Sequence, residues 1–397
     1  MVKRVALLKE ISVGGKGSYG IAASAVEKNE QLYTYLRITD IRDDGTLNKN
    51  DMKSVDDPEA PKYILSPNDI VFARTGASTG RNYFYDGTDG TLVYAGFLIK
   101  FSLDPQKVNP LYVKYYCQSA QYINWIRSFS TGSTRGNINA QTLGNMDIPL
   151  PTREQQDYLV SILSPIDEKI KLNQMINDNL EQQAQSYFQE LFVDRVDPEW
   201  ATGTISDLGT VVGGSTPSKA KPEYYTESGI AWITPKDLSI NKSKFISHGE
   251  NDITELGLKN SSAAIMPEGT VLFSSRAPIG YIAIAAGEIT TNQGFKSVVP
   301  KPEIGTPFVY FFLKHNLPVI EGMASGSTFK EVSGSTMKNI PAVIPDAETL
   351  ARFNEFCSPI FAQQRILEEQ SQSLATLRDS LLPKLMSGEI DVSDIQL

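Results

Sequence analysis

The chain has 397 residues, 41% of them apolar, 21% charged and 9% aromatic, which describes a globular protein of two to four domains and excludes a disordered one. Its two cysteines, Cys117 and Cys357, exclude a disulfide framework and a CxxC zinc site, and two histidines, His248 and His315, argue against a histidine-rich metal centre. The formal charge of −9 is uneven: residues 1–150 hold 17 Lys and Arg against 15 Asp and Glu, and 197–345 hold 12 against 14, whereas 151–196 hold 4 against 8 and 346–397 hold 4 against 9. Near-neutral long segments permit a basic patch for nucleic acid without demanding one, and acidic solvated helices are the plainer reading of the rest.

In chain order, the start carries Lys3 and Arg4 but no apolar core behind them, so no secretory signal is expected, and no apolar run approaches the ~20 residues that span a bilayer. A cytoplasmic protein with reduced, buried thiols is the expectation. Residues 1–151 read as a mixed segment. Ile70–Ala73 and Leu92–Phe101 have strand composition, and Pro110–Ser119 reads as a short helix. Residues 152–195 form a spacer helix, running from Arg153 to Phe192 behind a Thr152/Gln155 capping box. Leu159, Ile162, Ile166, Ile170, Asn173, Ile176, Leu180, Ala184, Tyr187 and Leu191 recur along it three or four apart. Residues 196–345 are a second mixed segment, with strands at Thr270–Phe273 and Ile282–Ala286 and a helix at Pro307–His315. A second spacer helix fills 346–390, from Ala347 to Met386 with Asp346 as N-cap, and 391–397 form a tail. Phe353, Phe356, Ile360, Leu367, Leu374, Leu381 and Leu385 fall on one heptad face of it. Two such seams of equal length predict an antiparallel coiled coil between the helices. Pro165 and Pro359, each after a serine, mark either a kink or a restart of the helix.

The chain is written twice. A shift of 194 residues lays Thr131–Thr134 on Ser325–Thr328, Pro151 on Pro345, and Ser164-Pro165-Ile166 on Ser358-Pro359-Ile360. Upstream the shift drifts to about 200, where Pro67–Gly80 lies on Pro267–Gly280 without a gap and Gly96-Phe97 falls on Gly294-Phe295. The fold class is therefore α+β: two mixed segments in tandem pseudo-repeat, each followed by a long helix.

Catalytic motifs are absent. No GxxxxGK[ST] loop for ATP occurs, nor a nuclease carboxylate set ending in Glu-x-Lys, nor a glycine-rich methyl-donor loop. Asn109-Pro110-Leu111-Tyr112 approaches the tetrapeptide with which amino-methyltransferases grip an extruded base, but the second copy reads Thr306-Pro307-Phe308-Val309, so a helix start with proline in its first turn is the better reading. The candidate binding residues lie in the loops. Ser133, Thr134 and Arg135 in copy one answer Ser327, Thr328 and Lys330 in copy two. Arg74, Thr75 and Arg81 follow one strand, and Ser274, Ser275 and Arg276 follow its counterpart, with Lys219 in a further loop. Arginine and small hydroxyls at loop tips suit phosphates and base edges. For each residue singly, a solvated surface position is an equal reading. No metal ligand set is expected.

The order of parts resembles the specificity subunit of a type I restriction-modification system. Tyr19-Gly20 followed by Tyr35-Leu36-Arg37-Ile38-Thr39-Asp40-Ile41, and Gly214-Ser-Thr-Pro-Ser218 leading to Trp232-Ile233-Thr234-Pro235-Lys236-Asp237-Leu238, are similar to the openings of that family's target-recognition domains. Leu382-Pro383-Lys384-Leu385-Met386-Ser387-Gly388-Glu389-Ile390 resembles its usual ending, whereas the central counterpart Glu190-Leu191-Phe192-Val193 departs from it. The resemblance implies a non-catalytic subunit that reads a bipartite site on double-stranded DNA, one domain per half-site. It implies docking on modification subunits, two of them, that carry S-adenosylmethionine, and on restriction subunits, where present, that use ATP and Mg. No cofactor is expected in this chain. The competing reading from the residues alone is a duplicated coiled-coil adaptor for proteins without DNA specificity.

Overall fold

The computed structural model describes residues 4–129, 137–276, 278–326 and 330–390. It divides into two compact units, one of residues 1–169 with 374–397 and one of residues 170–373. Each unit therefore joins a mixed segment to parts of both long helices.

Helix ends follow their caps. Gln155 N donates to Thr152 Oγ1 at 3.3 Å while Thr152 N donates to Gln155 Oε1 at 3.2 Å, and Thr349 N donates to Asp346 Oδ1 at 2.9 Å. The first long helix is Arg153–Gln189, continued by five residues of wider winding at Glu190–Asp194, and the second is Ala347–Ser387. Both run unbroken through their prolines, Pro165 and Pro359, so neither restarts there.

In the first unit, Ser18–Tyr19, Leu98–Ser102, Asp69–Ala73 and Asn82–Tyr85 form an antiparallel sheet in that order. A second sheet orders Ala25–Val26, Lys53–Val55, Tyr33–Leu36 and Leu92–Tyr94, the last pair parallel. The expected single strand Leu92–Phe101 is thus two strands in two sheets. The chain turns at Ala95, where Leu98 N bonds Ala95 O, and Gly96 N is drawn to Ile21 O at 2.7 Å. The second unit repeats this plan with one more strand: Gly209–Gly213, Lys296–Pro300, Val271–Ser275, Ile279–Ala285 and Phe245–Ile246 form the larger sheet.

Strand faces correct the ungapped match between the copies. Ile70 and Phe72 point into the core shared with the helices, and Val71 and Ala73 into the smaller core between sheets. In the second unit Val271 and Phe273 take the first role and Leu272 the second. The equivalence is a shift of 201, not 200, because a slip of one residue would reverse every side chain. The extra residue lies in the preceding turn, whose left-handed positions, Asn68 at φ 73° and Gly269 at φ 83°, coincide under the same shift. Arg74 therefore corresponds to Ser275, and Thr75 to Arg276.

The main core of the first unit contains Leu159, Val160 and Leu163 from one long helix and Leu382, Leu385 and Met386 from the other. That of the second contains Ala184, Phe188 and Leu191 with Leu350, Phe353, Cys357, Ile360 and Phe361. Along the helices the buried seam departs from the apolar pattern. Leu159, Phe353, Ile360 and Leu367 are buried, and Ile162, Ile166, Leu180, Leu374 and Leu381 are half-buried. Ile176 and Phe356 are exposed instead, and Asn177 and Cys357, one residue on, take the inward positions. The seam accepts these polar groups through their amide nitrogens, while the side-chain oxygens of Asn173 and Asn177 are buried without a partner among the described residues. Asn177 Nδ2 donates to Gln364 O, Gln364 Nε2 returns to Asn177 O, and Asn173 Nδ2 reaches Ser371 Oγ at 3.2 Å. In the second unit the contacts of Asn173 with Ser371, Asn177 with Gln364 and Tyr187 with Phe353 run in opposite directions along the two helices, so the pair is antiparallel.

A buried ion cluster ties that pair to the mixed segment. Glu181 accepts from Lys244 at 2.8 Å and Lys314 at 2.6 Å, and Lys244 also donates to Gln364 at 2.8 Å. Burial pushes the Glu181 carboxyl up, but the two ammonium groups outweigh it and hold it at about 2. Glu181→Gln leaves Lys244 buried without its counter-charge and is expected to cost about 3–5 kcal/mol in denaturant unfolding. The carboxyl's contribution is complete above its ordinary value of 4.5 and is lost as pH falls toward 2. Wild type should therefore lose stability through that window more steeply than Glu181→Gln, and parallel losses would contradict the assignment.

Candidate nucleic-acid interface

Each unit ends its central strand at the same construction. In the first, Ile138 N donates to Arg74 O at 2.9 Å and Thr75 pairs with Asn137, so Asn137 and Ile138 lie against the strand end. In the second, Val332 N donates to Ser275 O at 2.9 Å and Arg276 pairs with Glu331. Ser133, Thr134, Arg135, Ser327 and Thr328 lie outside the described residues.

A second repeated feature frames these strand ends. A Cβ on Gly20 would stand 2.2 Å from Tyr94 O, and one on Gly214 would stand 2.0 Å from Asn292 O. Only glycine permits this backbone crossing between the two sheets of each unit. That crossing brings Tyr19 beside Arg74.

The side chains differ. Arg74 is half-buried, its guanidinium over the rings of Tyr19 and Phe97 at 5.2 and 5.8 Å. Thr75 is half-buried beside it, and Arg81 is held by Asp43 at 2.6 Å and by Ile41 O at 3.3 Å. In the second unit Ser274 and Ser275 are fully buried. Ser274 Oγ donates to Pro278 O and accepts from Tyr281 N, and Ser275 Oγ donates to Gly294 O. Their hydroxyls are structural, which removes them from the candidate set. They face inward because the strand continues to Ser275, two residues beyond Phe273. Arg276 lies 3.8 Å from Glu331, which also meets Lys296 at 3.6 Å. Lys330 and Lys219 are exposed.

Sequence reasoning missed Tyr19, Phe97, Lys296 and Glu331. Tyr19 precedes Gly20, which answers Gly214. Phe97 stood in the match of Gly96-Phe97 with Gly294-Phe295, which the pairing shifts by one: Arg74 N donates to Phe97 O and Ser275 N to Gly294 O, so Phe97 answers Gly294. Asn109-Pro110-Leu111-Tyr112 is a helix start, as expected. Asn109 caps Leu111 N at 3.0 Å, and Tyr112 is buried with its hydroxyl on Pro149 O. Cys117 and Cys357 are free and buried, and burial pushes the Cys357 thiol up to about 12. Among the described residues no group of three or more His, Cys, Asp or Glu is placed to hold a metal, and no helix is long and apolar enough to cross a membrane.

The chain is similar to proteins of one kind. Over 191 residues it is 39% identical to the MjaIX type I restriction enzyme specificity subunit of Methanocaldococcus jannaschii, a match covering 46% of this chain and 44% of that one. Over 414 residues it is 23% identical to the HindI specificity subunit of Haemophilus influenzae, covering 84% and 89%. The crystal structure of a type I restriction-modification S subunit from M. genitalium shares the fold, with a TM-score of 0.59 at 17% identity over 96% of this chain and 95% of that one. The sequence model of the type I restriction modification DNA specificity domain matches twice, at residues 11–182 and 198–379, and the chain belongs to that family.

Proposed function

We propose that this chain is the DNA-reading subunit of a type I restriction-modification complex, that its two units read the two halves of an asymmetric bipartite site, and that its helices dock the modification subunits. The observation that carries the reading is the strand-end construction, framed alike in both units and furnished differently. Arg74 and Thr75 stand where the other unit has Ser275 and Arg276. Two readers on one frame with unlike side chains suit two unlike half-sites. The chain itself performs no chemistry in this account. S-adenosylmethionine belongs to the modification subunits, likewise two in number, and ATP with Mg to the restriction subunits where they are present, all in the cytoplasm.

Docking on the helices draws support from their exposed apolar side chains. Leu172, Met175, Ile176, Phe356 and Ile366 lie on the helix surfaces of the second unit and Leu377 on that of the first. Such residues are unfavourable in water and suit a protein partner.

The test is binding of the chain assembled with its modification subunits to duplexes of mapped sequence. Affinity is expected to fall linearly in log–log form with salt, by about 0.9 per phosphate contact, and to depend on two separated blocks of base pairs. Removing the gene should abolish methylation at that two-part site in the host genome. Binding without sequence preference, or methylation unchanged without the gene, would contradict the reading.

A further inference from the structure

Arg74 carries a charge that the described residues do not answer. Its Nε is buried and makes no hydrogen bond. By contrast Arg37 meets Asp40, Arg81 meets Asp43, Arg365 meets Glu268 and Arg378 meets Asp167. Arg74 meets two rings instead, Tyr19 and Phe97, which are themselves 43% and 55% exposed. An exposed cation–π contact contributes less than a buried donor without an acceptor costs. The arrangement is therefore poor as a purely structural device. Nε itself is enclosed, so a ligand would be met by the two Nη ends of the half-buried guanidinium.

The surroundings fix which ligand. Arg74 N donates to Phe97 O at 3.1 Å and Arg74 O accepts from Ile138 N at 2.9 Å, so the backbone is held on both sides. Ala140 N donates to Tyr19 Oη at 3.2 Å, which holds the ring beneath the guanidinium. A planar fork matches two acceptors in a plane, which a phosphate and the O6 and N7 edge of guanine both present. The rings that hold this fork favour the base edge, since a phosphate is met as well by a mobile, solvated cation. In the second unit the corresponding residue is the buried Ser275, and Arg276 beside it shares Glu331 with Lys296. The geometry points to Arg74 as the reader of a guanine in the half-site met by the first unit, with Tyr19 and Phe97 as positioning residues; this rests on the DNA-reading function proposed above.

The experiment uses the full chain assembled with its modification subunits, and duplexes in which each base pair of the mapped site is replaced in turn. Arg74→Ala should lower discrimination at one G·C pair of one half-site by roughly 5- to 150-fold and leave every other position as in wild type. Arg74→Lys, which keeps the charge and loses the fork, should lose the same discrimination. Tyr19→Leu should lower it at the same pair by less. If Arg74→Ala weakens all duplexes alike, reduces the salt slope by about one and is rescued by Arg74→Lys, the residue binds a phosphate and the proposal is overturned. Unchanged preference in both Arg74 variants overturns it as well, with the DNA-reading function intact. A wild-type complex without sequence preference would instead overturn that function, and the proposal with it.

Discussion

Neither mixed segment closes its own core. Leu382, Leu385 and Met386, from the far end of the second helix, are buried with the strands of the first unit, while Ala184, Phe188 and Leu191 from the end of the first helix are buried in the second. Each fully buried side chain of this size contributes roughly 1.5–3 kcal/mol. The rings of Phe188, Phe192, Phe308 and Phe353 interlock at 4.8–5.9 Å, which makes the helix end part of the domain and not an appendage. The first unit is thereby built from two stretches of sequence, 1–169 and 374–397, whereas the second, 170–373, is one continuous stretch that takes in the end of one long helix and the start of the other.

The burial that fixes the frame leaves the strand ends free to vary. Gly20 and Gly214 hold equivalent crossings, and Asn68 and Gly269 hold equivalent turns. Beyond them, Arg74 and Ser275 occupy one position with opposite fates, one resting on exposed rings and the other sealed inside. In the proposed reading, function on this scaffold rests on what stands at a few positions whose backbone is already settled, as is usual where loops carry specificity on rigid elements.

Much of the fold was legible in local chemistry. The capping groups at Thr152 and Asp346 announce both long helices, and the 194-residue shift exposes the duplication. The illegible parts share a cause, which is that tertiary partners decide what local pattern leaves open. Asn177 is buried in place of Ile176 because Gln364 waits opposite it. Lys244 reads as a solvated lysine until Glu181 and the ring of Phe361, 3.4 Å from its Nζ, are placed around it. The one-residue slip between the copies was hidden because the sequences match without a gap at 200, and it takes the direction of Ile70 and Val271 into the helix-bearing cores, with the left-handed turns at Asn68 and Gly269, to separate 200 from 201. Arg74 was visible as a loop-tip arginine, but its rings were not, since Tyr19 and Phe97 are 55 and 23 residues away from it in sequence.

The central claim is that each unit reads its half-site on its own. It is tested by a chain in which residues 1–150 come from a relative of different specificity, while both long helices and the second mixed segment stay as they are. Methylation mapped across a genome should show one half of the target changed and the other retained. A chimera that folds, assembles and alters both halves together would contradict the account.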